Sequence, residues 1–443
     1  MKSLSELRQD AVSIFHSAVE AADPKPAIQR LVRRKDEVLN VDGRTYNLTS
    51  FDNIYVVGAG KASARMAQAI EGLIGDQLTA GIVNVKYGHG LPLQTIRVNE
   101  AGHPLPDICG VRGTQEILEL SSTAGETDLV ICLFSGGGSA LLPCPPRELS
   151  LDEKVQVTKL LLDSGVSIHE INAVRKHLSQ VKGGRLARMT YPATLISLIL
   201  SDVVGDDLQA IACGPTAPDK TTFADCMDIL ARYSLCSRIS PRVKDFLERG
   251  VKGQLEETPK PNDPVFQPTQ NVIVGNNTLA VEAASKTAQA CGYRTMILSC
   301  SVEGEAREVA KVYAAIARQI LLTGHPVQRP ACVVSGGETT VTVCGRGVGG
   351  RNQEFALAAA IALDGLDNAV ILSAGTDGTD GATNAAGAVA DCTTIRRANN
   401  IGLNAESHLR ENDSHPFFQQ LHDLIVTGPT LTNVMDLQVL LLA

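Results

Sequence analysis

The stretch Ile54–Ile70, IYVVGAGKASARMAQAI, decides the fold, because an apolar β-type run ends in glycines and opens into a helical pattern. A second stretch with the same layout, VICLFSGGGSALL, runs from Val130 to Leu142. A strand–glycine–helix turn directs backbone N–H groups and a helix N-terminus at one point, which favours an anion. Lys61 adds a mobile positive charge to the first turn. The two stretches therefore predict a ligand that carries phosphate.

The glycines match neither of the two common nucleotide-binding motifs. A phosphate loop needs G-x-x-x-x-G-K-[ST], but Tyr55 occupies the first glycine position and Ala62 follows the lysine. A dinucleotide fingerprint needs a third glycine where Ser63 stands, and an acid after the second strand, where Lys86 stands. A plain nicotinamide site is therefore disfavoured. A tight turn that binds no ligand stays an open alternative.

Composition excludes several classes of function. The 443 residues, 44% hydrophobic and 20% charged, are typical of a soluble globular protein with two domains. A net charge of −8 without a dominant basic patch argues against a nucleic-acid partner. The longest apolar runs fall short of the roughly 20 residues that a membrane span needs. The 11 cysteines, with no C-x-x-C spacing, indicate reduced thiols in a cytoplasmic protein.

Strand-like and helical stretches alternate along the chain, which predicts an α/β fold. Two series are separated by a polar segment with four prolines, Glu256–Gln270. The predicted strands are Ile54–Val57, Gly81–Val85, Leu129–Phe134 and Thr194–Leu200 in the first series, and Asn271–Val274, Thr295–Leu298, Ala331–Val334, Thr340–Val343, Ala369–Leu372 and Leu437–Leu442 in the second.

This alternation predicts an N-terminal domain over residues 1–250, a Pro-rich linker over 251–270 and a C-terminal domain over 271–443. At the N-terminus, Ser3 and Glu6 have the spacing of a capping box and open an amphipathic helix.

A third glycine-rich stretch, CGRGVGGRNQEFALAAAIAL, begins at Cys344. Gly349 and Gly350 lead into a helix that begins near Arg351 or Asn352. An arginine beside free N–H groups suits a phosphate or a carboxylate, because its planar fork binds both oxygens. The alternative is an arginine that holds the loop by bonding its carbonyls.

An aspartate-rich loop follows a later apolar strand, in AVILSAGTDGTDGATNAAGAVAD from Ala369 to Asp391. Asp377 and Asp380 lie among glycines, a pattern that suits Mg²⁺ with water and phosphate ligands. The equally supported alternative is an Asx-turn loop, in which each aspartate bonds its own backbone.

Two further candidates lie in the first half of the chain. The basic helix INAVRKHLSQVKGGRLARM, from Ile171, carries Arg175, and most of its charges are expected on a solvated face. Asp202 follows the apolar strand TLISLIL. The carboxyl end of such a strand favours ligand or catalytic contact.

These stretches, together with AGHPLPD, SDVVGDDLQAIACGPTAPD and GPTLTNVMDLQVLLL, resemble the signature blocks of the class II (MOFRL-type) glycerate 2-kinases. The blocks occur in order and span nearly the whole chain. The resemblance implies ATP-dependent phosphorylation of D-glycerate at its 2-hydroxyl. It also implies two α/β/α domains, the N-terminal one Rossmann-like, with the active site in the cleft between them.

The resemblance aligns the family's proposed catalytic residues with Lys61 and Arg351. With it, the residue patterns suggest Asp202 to orient the attacking hydroxyl, Arg175 for the substrate carboxylate, and Asp377 or Asp380 for Mg²⁺. The expected partners are D-glycerate and MgATP, and the expected assembly is a homodimer. The residues expected to bind nucleotide or phosphate are Gly58, Gly60, Ser63, Ser135, Gly136, Gly137, Gly138, Ser139, Gly349 and Gly350.

Two other functions stay open on the sequence. Relatives of this kind have carried the name hydroxypyruvate reductase, an activity that would need a nicotinamide site. A non-catalytic sugar-acid or nucleotide sensor would keep the glycine-rich loops, but it would not need both Lys61 and Arg351.

Overall fold

The computed structural model describes residues 2–443 and divides the chain into two compact units. One unit is Pro24–Val274, and the other joins Met1–Asp23 to Gly275–Ala443. In chain order the elements are α1 (Leu4–Ala21), α2 (Pro24–Leu31), β1 (Val32–Lys35), β2 (Val38–Val41), β3 (Arg44–Asn47), β4 (Ile54–Ala59), α3 (Ser63–Ile74), β5 (Ala80–Lys86), β6 (Ile96–Ala101), α4 (Ile108–Ser122), β7 (Leu129–Phe134), α5 (Gly138–Leu141), α6 (Leu151–Asp163), α7 (Ile168–His177), α8 (Arg185–Thr190), β8 (Thr194–Leu200), α9 (Phe223–Arg232), α10 (Pro241–Val251), β9 (Thr269–Gly275), α11 (Asn277–Ala290), β10 (Arg294–Val302), α12 (Ala306–Thr323), β11 (Ala331–Gly337), α13 (Arg351–Leu363), β12 (Ala369–Gly375), β13 (Gly387–Asp391), α14 (Thr394–Asn400), α15 (Ala405–Arg410), α16 (Ser414–Leu421), β14 (Leu424–Ile425) and β15 (Asp436–Leu442).

The 24–274 unit is built on a six-stranded sheet of order β6-β5-β4-β7-β8-β9. The pairs from β6 to β8 are parallel, and every residue of β4 and β7 is buried. Burial on both faces explains why these strands read as continuous apolar runs. Counted from β4, the order of the first five strands is 3-2-1-4-5, that of a doubly wound fold. The order reverses between β4 and β7, and open α/β sheets bind ligands at the carboxyl ends of such a pair.

The second unit is built on a six-stranded sheet of order β10-β11-β15-β12-β13-β14. Only the β10–β11 pair is parallel, and β15 pairs with both β11 and β12. Helices α12 and α13 contribute alanines, Tyr313 and Phe355 to the core on this sheet. Both units are therefore α/β, as the sequence predicts.

The N-terminal helix is a correction to the predicted domain over 1–250. Its predicted capping box is confirmed, because Ser3 and Glu6 exchange hydrogen bonds at the helix start. The buried face of α1, which includes Ile14 and Phe15, packs on α11, β12 and β15 of the second unit. That apolar face draws the first 23 residues into a core made by the last third of the chain.

The predicted linker over 251–270 is also corrected. Its side chains bond within the 24–274 unit: Glu257 Oε1 lies 2.7 Å from His177 Nε2, and Arg188 Nη1 donates to the carbonyl of Glu257 at 2.9 Å. The strand predicted at Asn271–Val274 is real, but as β9 it is the edge strand of this unit's own sheet. Prolines restrict φ without preventing neighbouring side chains from packing, which is why proline content alone misplaced the boundary.

One predicted strand is wrong, and several strands were not predicted. Residues 340–343 form only an isolated bridge between Thr340 and Glu305, because the N–H of Thr342 donates to the Glu305 carboxylate at 3.1 Å. The unpredicted strands include β6, β13 and the three-stranded antiparallel sheet of β1, β2 and β3. In the part of the chain that the structure describes, no helix is both long and apolar enough to cross a membrane.

Candidate active site

The two predicted glycine-rich turns lie side by side, because β4 and β7 are neighbours in the parallel sheet. Their backbones touch. A Cβ at Gly58 would lie 2.2 Å from the carbonyl oxygen of Leu133, and one at Gly60 would lie 2.1 Å from Ser135 Oγ. Glycine is therefore required in the first turn for packing against the second, whatever ligand is bound.

The N–H groups of the first turn are already used inside the protein. Lys61 N–H donates to the carbonyl of Gly136 at 2.8 Å, and Ala62 N–H donates to Ser135 Oγ at 3.0 Å. Ser63, at the position of a third fingerprint glycine, donates its hydroxyl to the carbonyl of Leu133 at 3.1 Å. The backbone of the first turn thus positions Lys61 and offers these donors to the second turn rather than to a phosphate.

The second turn differs from the first, because two of its backbone N–H groups are not used within the described residues. Among residues 2–443, no group accepts a hydrogen bond from the N–H of Gly136 or of Gly137. Gly137 has φ +80°, a conformation that favours glycine. A Cβ there would lie 3.4 Å from Lys61 Cγ and 2.9 Å from the His103 ring, so the Lys61 side chain passes over this turn. Two free N–H groups beneath a lysine are donors of the kind that suits an anion.

The turn continues into the short helix α5, where Ser139 meets Arg175 of α7. Arg175 Nη2 donates to Ser139 Oγ, and Nη1 donates to Asn172 Oδ1 at 3.3 Å. The structure therefore brings together Lys61, the second glycine turn and Arg175, which are far apart in sequence. Asp202 is half-buried and lies two residues past β8, the neighbour of β7, at the same edge of the sheet.

Two lysines that sequence reasoning missed lie buried behind Ser139. Lys182 Nζ donates to the carbonyl of Ser139 at 2.8 Å, and Lys154 Nζ has no hydrogen-bond partner in the described chain. Burial lowers the pKa of Lys182 to about 8 and also lowers the pKa of Lys154, whose charge is further opposed by Lys182 and Arg175. None of these three cations pairs with a carboxylate of the described residues.

Cys213 lies within this cationic cluster, with its Sγ 2.9 Å from Ser139 Oγ. Burial alone would raise the pKa of the thiol, but Arg175 and Lys182 outweigh burial and lower it. The cluster therefore favours negative charge at its centre.

In the second unit, Arg351 opens α13 as predicted and binds two acids. Its Nε and Nη2 donate to the two carboxylate oxygens of Asp436 at 2.6 and 2.9 Å, and its Nη1 lies 2.8 Å from Glu338. Burial would lower the pKa of Arg351, but Asp436 and Glu338 outweigh burial and raise it. The partner of this guanidinium is Asp436, and the sequence offered no signal for that pairing.

The aspartate-rich loop fits the Asx-turn alternative at Asp377 but not at Asp380, whose carboxylate bonds the start of α13. Asp380 accepts the N–H of Asn352 at 3.1 Å and of Gln353 at 2.9 Å, which caps α13. Burial raises the pKa of Asp380 to about 6. Asp377 accepts the N–H of Thr379 at 2.9 Å. No cluster of three metal-ligating side chains occurs in the described residues.

The two glycines before α13 allow close packing at the start of this helix. A Cβ at Gly350 would lie 2.3 Å from Asp380 Cγ, and one at Gly349 would lie 2.2 Å from Ser414 Oγ. Packing against Asp380 and Ser414 is therefore enough to require glycine at both positions.

Comparison with known proteins places the chain among relatives. Residues 10–248 match a domain of unknown function (DUF4147), and residues 331–436 match the MOFRL family. A glycerate 2-kinase of Pyrococcus horikoshii is 41% identical over 97% of this chain and 96% of its own. An Agrobacterium vitis protein that bears the name hydroxypyruvate reductase is 41% identical over 98% of this chain and 94% of its own. The crystal structure of a Thermotoga maritima glycerate kinase is 38% identical, with a TM-score of 0.86 over 99% of this chain and 100% of that one.

Proposed function

This chain belongs to the MOFRL family of glycerate kinases, and we propose that it transfers the γ-phosphoryl group of ATP to the 2-hydroxyl of D-glycerate. The products are 2-phosphoglycerate and ADP. One observation carries the phosphate site: the free N–H groups of Gly136 and Gly137 lie under the side chain of Lys61. They lie at the carboxyl ends of β4 and β7, where an open α/β sheet binds its ligand.

In the reaction, the bond between the γ-phosphorus and the β–γ bridging oxygen breaks, and its electron pair leaves with ADP. A bond forms between that phosphorus and the 2-oxygen of glycerate, which gives up its proton. Phosphoryl transfer needs positioning and charge stabilisation more than covalent help. We assign charge stabilisation to Lys61 and phosphate binding to the turn from Ser135 to Ser139. We assign Asp202 to orient the hydroxyl and accept its proton.

Arg351 is proposed as a second cation for the reaction, with Gly349 and Gly350 beside it. Its bidentate pair with Asp436 fixes the guanidinium in one orientation and leaves it less able to attract an anion. Arg175 is proposed to bind an anionic group of one substrate, for which the sequence suggested the glycerate carboxylate.

Mg²⁺ would accompany ATP and would supply charge neutralisation to its phosphates. Asp377 accepts a hydrogen bond within its loop, and both carboxylate oxygens of Asp380 accept N–H groups at the start of α13. The two aspartates therefore do not form a ready metal site, and no step is assigned to them. A cytoplasmic location and a homodimer are further proposals from the sequence.

The direct test incubates the protein with D-glycerate and MgATP and follows the product by ³¹P NMR. Phosphorus on the 2-oxygen couples to one methine proton and gives a doublet, whereas phosphorus on the 3-oxygen couples to two protons and gives a triplet. A parallel incubation with hydroxypyruvate and NADH tests the reductase. NADH consumption without ADP release would overturn the proposal, and the absence of both reactions would favour a sensor.

A further inference from the structure

A cavity of about 520 Å³ opens beside the second glycine turn, wholly within the 24–274 unit. Ser139, Arg175 and Lys154 contribute to one part of its wall. Its volume is in the range of small-molecule sites, 300–1,000 Å³.

The rest of the wall is mainly apolar. Leu105, Leu162 and Ile168 line the cavity and are 71%, 59% and 54% exposed. Prolines 104, 106 and 143, Val155 and Ile171 complete the apolar part. Large apolar side chains gathered at one cavity and left in water indicate that a ligand covers them.

Glycerate does not fit this description. Its three carbons carry a carboxylate and two hydroxyls, so it has no apolar face to cover such a wall. A nucleoside triphosphate has both required parts, namely a planar base of low polarity and a polyanion.

We propose that this cavity binds the base and ribose of ATP, with the phosphates running past Ser139 and Arg175 to the free N–H groups of Gly137 and Gly136. This inference rests on the proposed kinase function and names its nucleotide subsite.

The positions of Ser139, Gly137 and Lys61 support the proposed path of the ATP phosphates. Ser139 lines the cavity, Gly137 is two residues before it, and the Lys61 side chain passes over Gly137. A chain of phosphates leaving the cavity at Ser139 therefore reaches the free N–H groups and the Lys61 side chain that lies over them. The terminal phosphate, which is farthest from the base, would then lie beside the lysine assigned to charge stabilisation.

Basic side chains supply the attraction. Half-buried Arg175 and buried Lys182 donate to Ser139, and buried Lys154 has no hydrogen-bond partner among the described residues. None of the three pairs with a carboxylate there, and a buried positive charge without a counter-charge is unfavourable. A bound polyphosphate would supply the missing negative charge. The carboxylate of glycerate would supply only one negative charge.

The test fills the cavity without touching the phosphate turn. Val155 is half-buried on α6 and lines the cavity, whereas Gln156 is exposed on the same helix and does not. We expect Val155→Trp to raise KM for ATP at least tenfold and to leave KM for glycerate within twofold of wild type. Gln156→Trp is the matched control and should change neither.

A binding measurement makes the test independent of turnover. A fluorescent trinitrophenyl-ATP titrated without glycerate should bind Val155→Trp at least tenfold more weakly than Gln156→Trp. Because a tryptophan at a half-buried position can disturb folding, Leu162→Glu at the exposed rim is the second variant, with Gln156→Glu as its control. It should weaken the same probe by repelling its phosphates.

Three results would overturn the inference. One is a folded Val155→Trp and a folded Leu162→Glu that both bind the probe like their controls. Another is a rise in KM for glycerate with KM for ATP unchanged. The third is a wild-type protein that forms 2-phosphoglycerate but does not bind the probe competitively with ATP. If instead wild type binds the probe and forms no 2-phosphoglycerate, the subsite stands and the proposed kinase reaction fails.

Discussion

Asp436 changes what is expected of an Arg351 variant. The carboxylate is fully buried and takes two hydrogen bonds from Arg351, so Arg351→Ala leaves a buried charge without its main partner. We expect a loss in the free energy of unfolding of about 3 kcal/mol, at the low end for a buried pair because Arg351 is about one-third exposed. Urea unfolding measures it.

The control is the double variant Arg351→Ala/Asp436→Asn. Removing the stranded charge should recover a large part of the lost stability but none of the turnover. A single variant as stable as wild type would show that Asp436 does not depend on Arg351.

Lys61 is expected to behave differently. Its backbone joins the two turns, but its side chain crosses the glycine turn that is free to bind phosphate. Lys61→Met keeps the apolar part of that side chain, so stability should change little. Loss of the charge should lower kcat on the order of 10³-fold, by analogy with other cations that act on a phosphoryl transition state. Lys61→Arg is the control, and a Lys61→Met enzyme within tenfold of wild-type kcat would remove Lys61 from the mechanism.

At the scale of elements, the proline-rich segment should make stability depend on pH. Burial alone would raise the pKa of Glu257, but the hydrogen bond and charge of His177, with the N–H groups of Thr258 and Phe223, outweigh burial and lower it to about 2. A carboxyl with a lowered folded pKa contributes stability above its unfolded pKa of about 4.5, and loses it as pH falls to about 2.

Glu257→Gln tests this. The variant should be less stable than wild type at pH 6, and the difference should shrink as pH falls from 4.5 to 2. Urea unfolding at several pH values measures it, with the exposed Glu126→Gln as control. A difference independent of pH in that window would mean that Glu257 does not carry the charge inferred here.

The elements also mark the limit of prediction from sequence. Apolar runs located β4, β5, β7, β8, β11, β12 and β15, because strands buried on both faces leave a plain signal. β10 was located as well, although none of its residues is buried. The sheet of β1, β2 and β3 was missed although Asp42-Gly43, with φ +47° and +84°, is a standard hairpin signal. The two glycine turns of the site were predicted because they directly follow strands with this apolar signal. The roles of Lys154, Lys182 and Asp436 were not predicted, because only the fold brings the two lysines near Ser139 and the aspartate to Arg351.

At the scale of the whole molecule, the division of the chain predicts where an N-terminal deletion acts. Helix α1 packs on α11, β12 and β15, and Arg8 pairs with Asp391 and Asp423. Removing residues 2–21 should therefore speed hydrogen exchange in β12 and β15 and leave β4 and β7 unchanged. Exchange measured by mass spectrometry decides this, with removal of residues 2 and 3 alone as control. Faster exchange in β4 and β7 instead would contradict the observed division.

The position of β15 has a consequence for how the protein is made. This strand joins β11 to β12 in the middle of its sheet, yet the ribosome produces it after every other strand of that sheet. At a few to twenty residues per second, α1 emerges on the order of tens of seconds before β15, the last element it packs on. Until β15 is made, the nascent chain exposes the part of the apolar face of α1 that β15 covers, and the strand edges of β11 and β12 that β15 will pair. Chaperones that bind such surfaces would therefore have their main opportunity here, and the second unit can complete its sheet only after synthesis has passed Leu442.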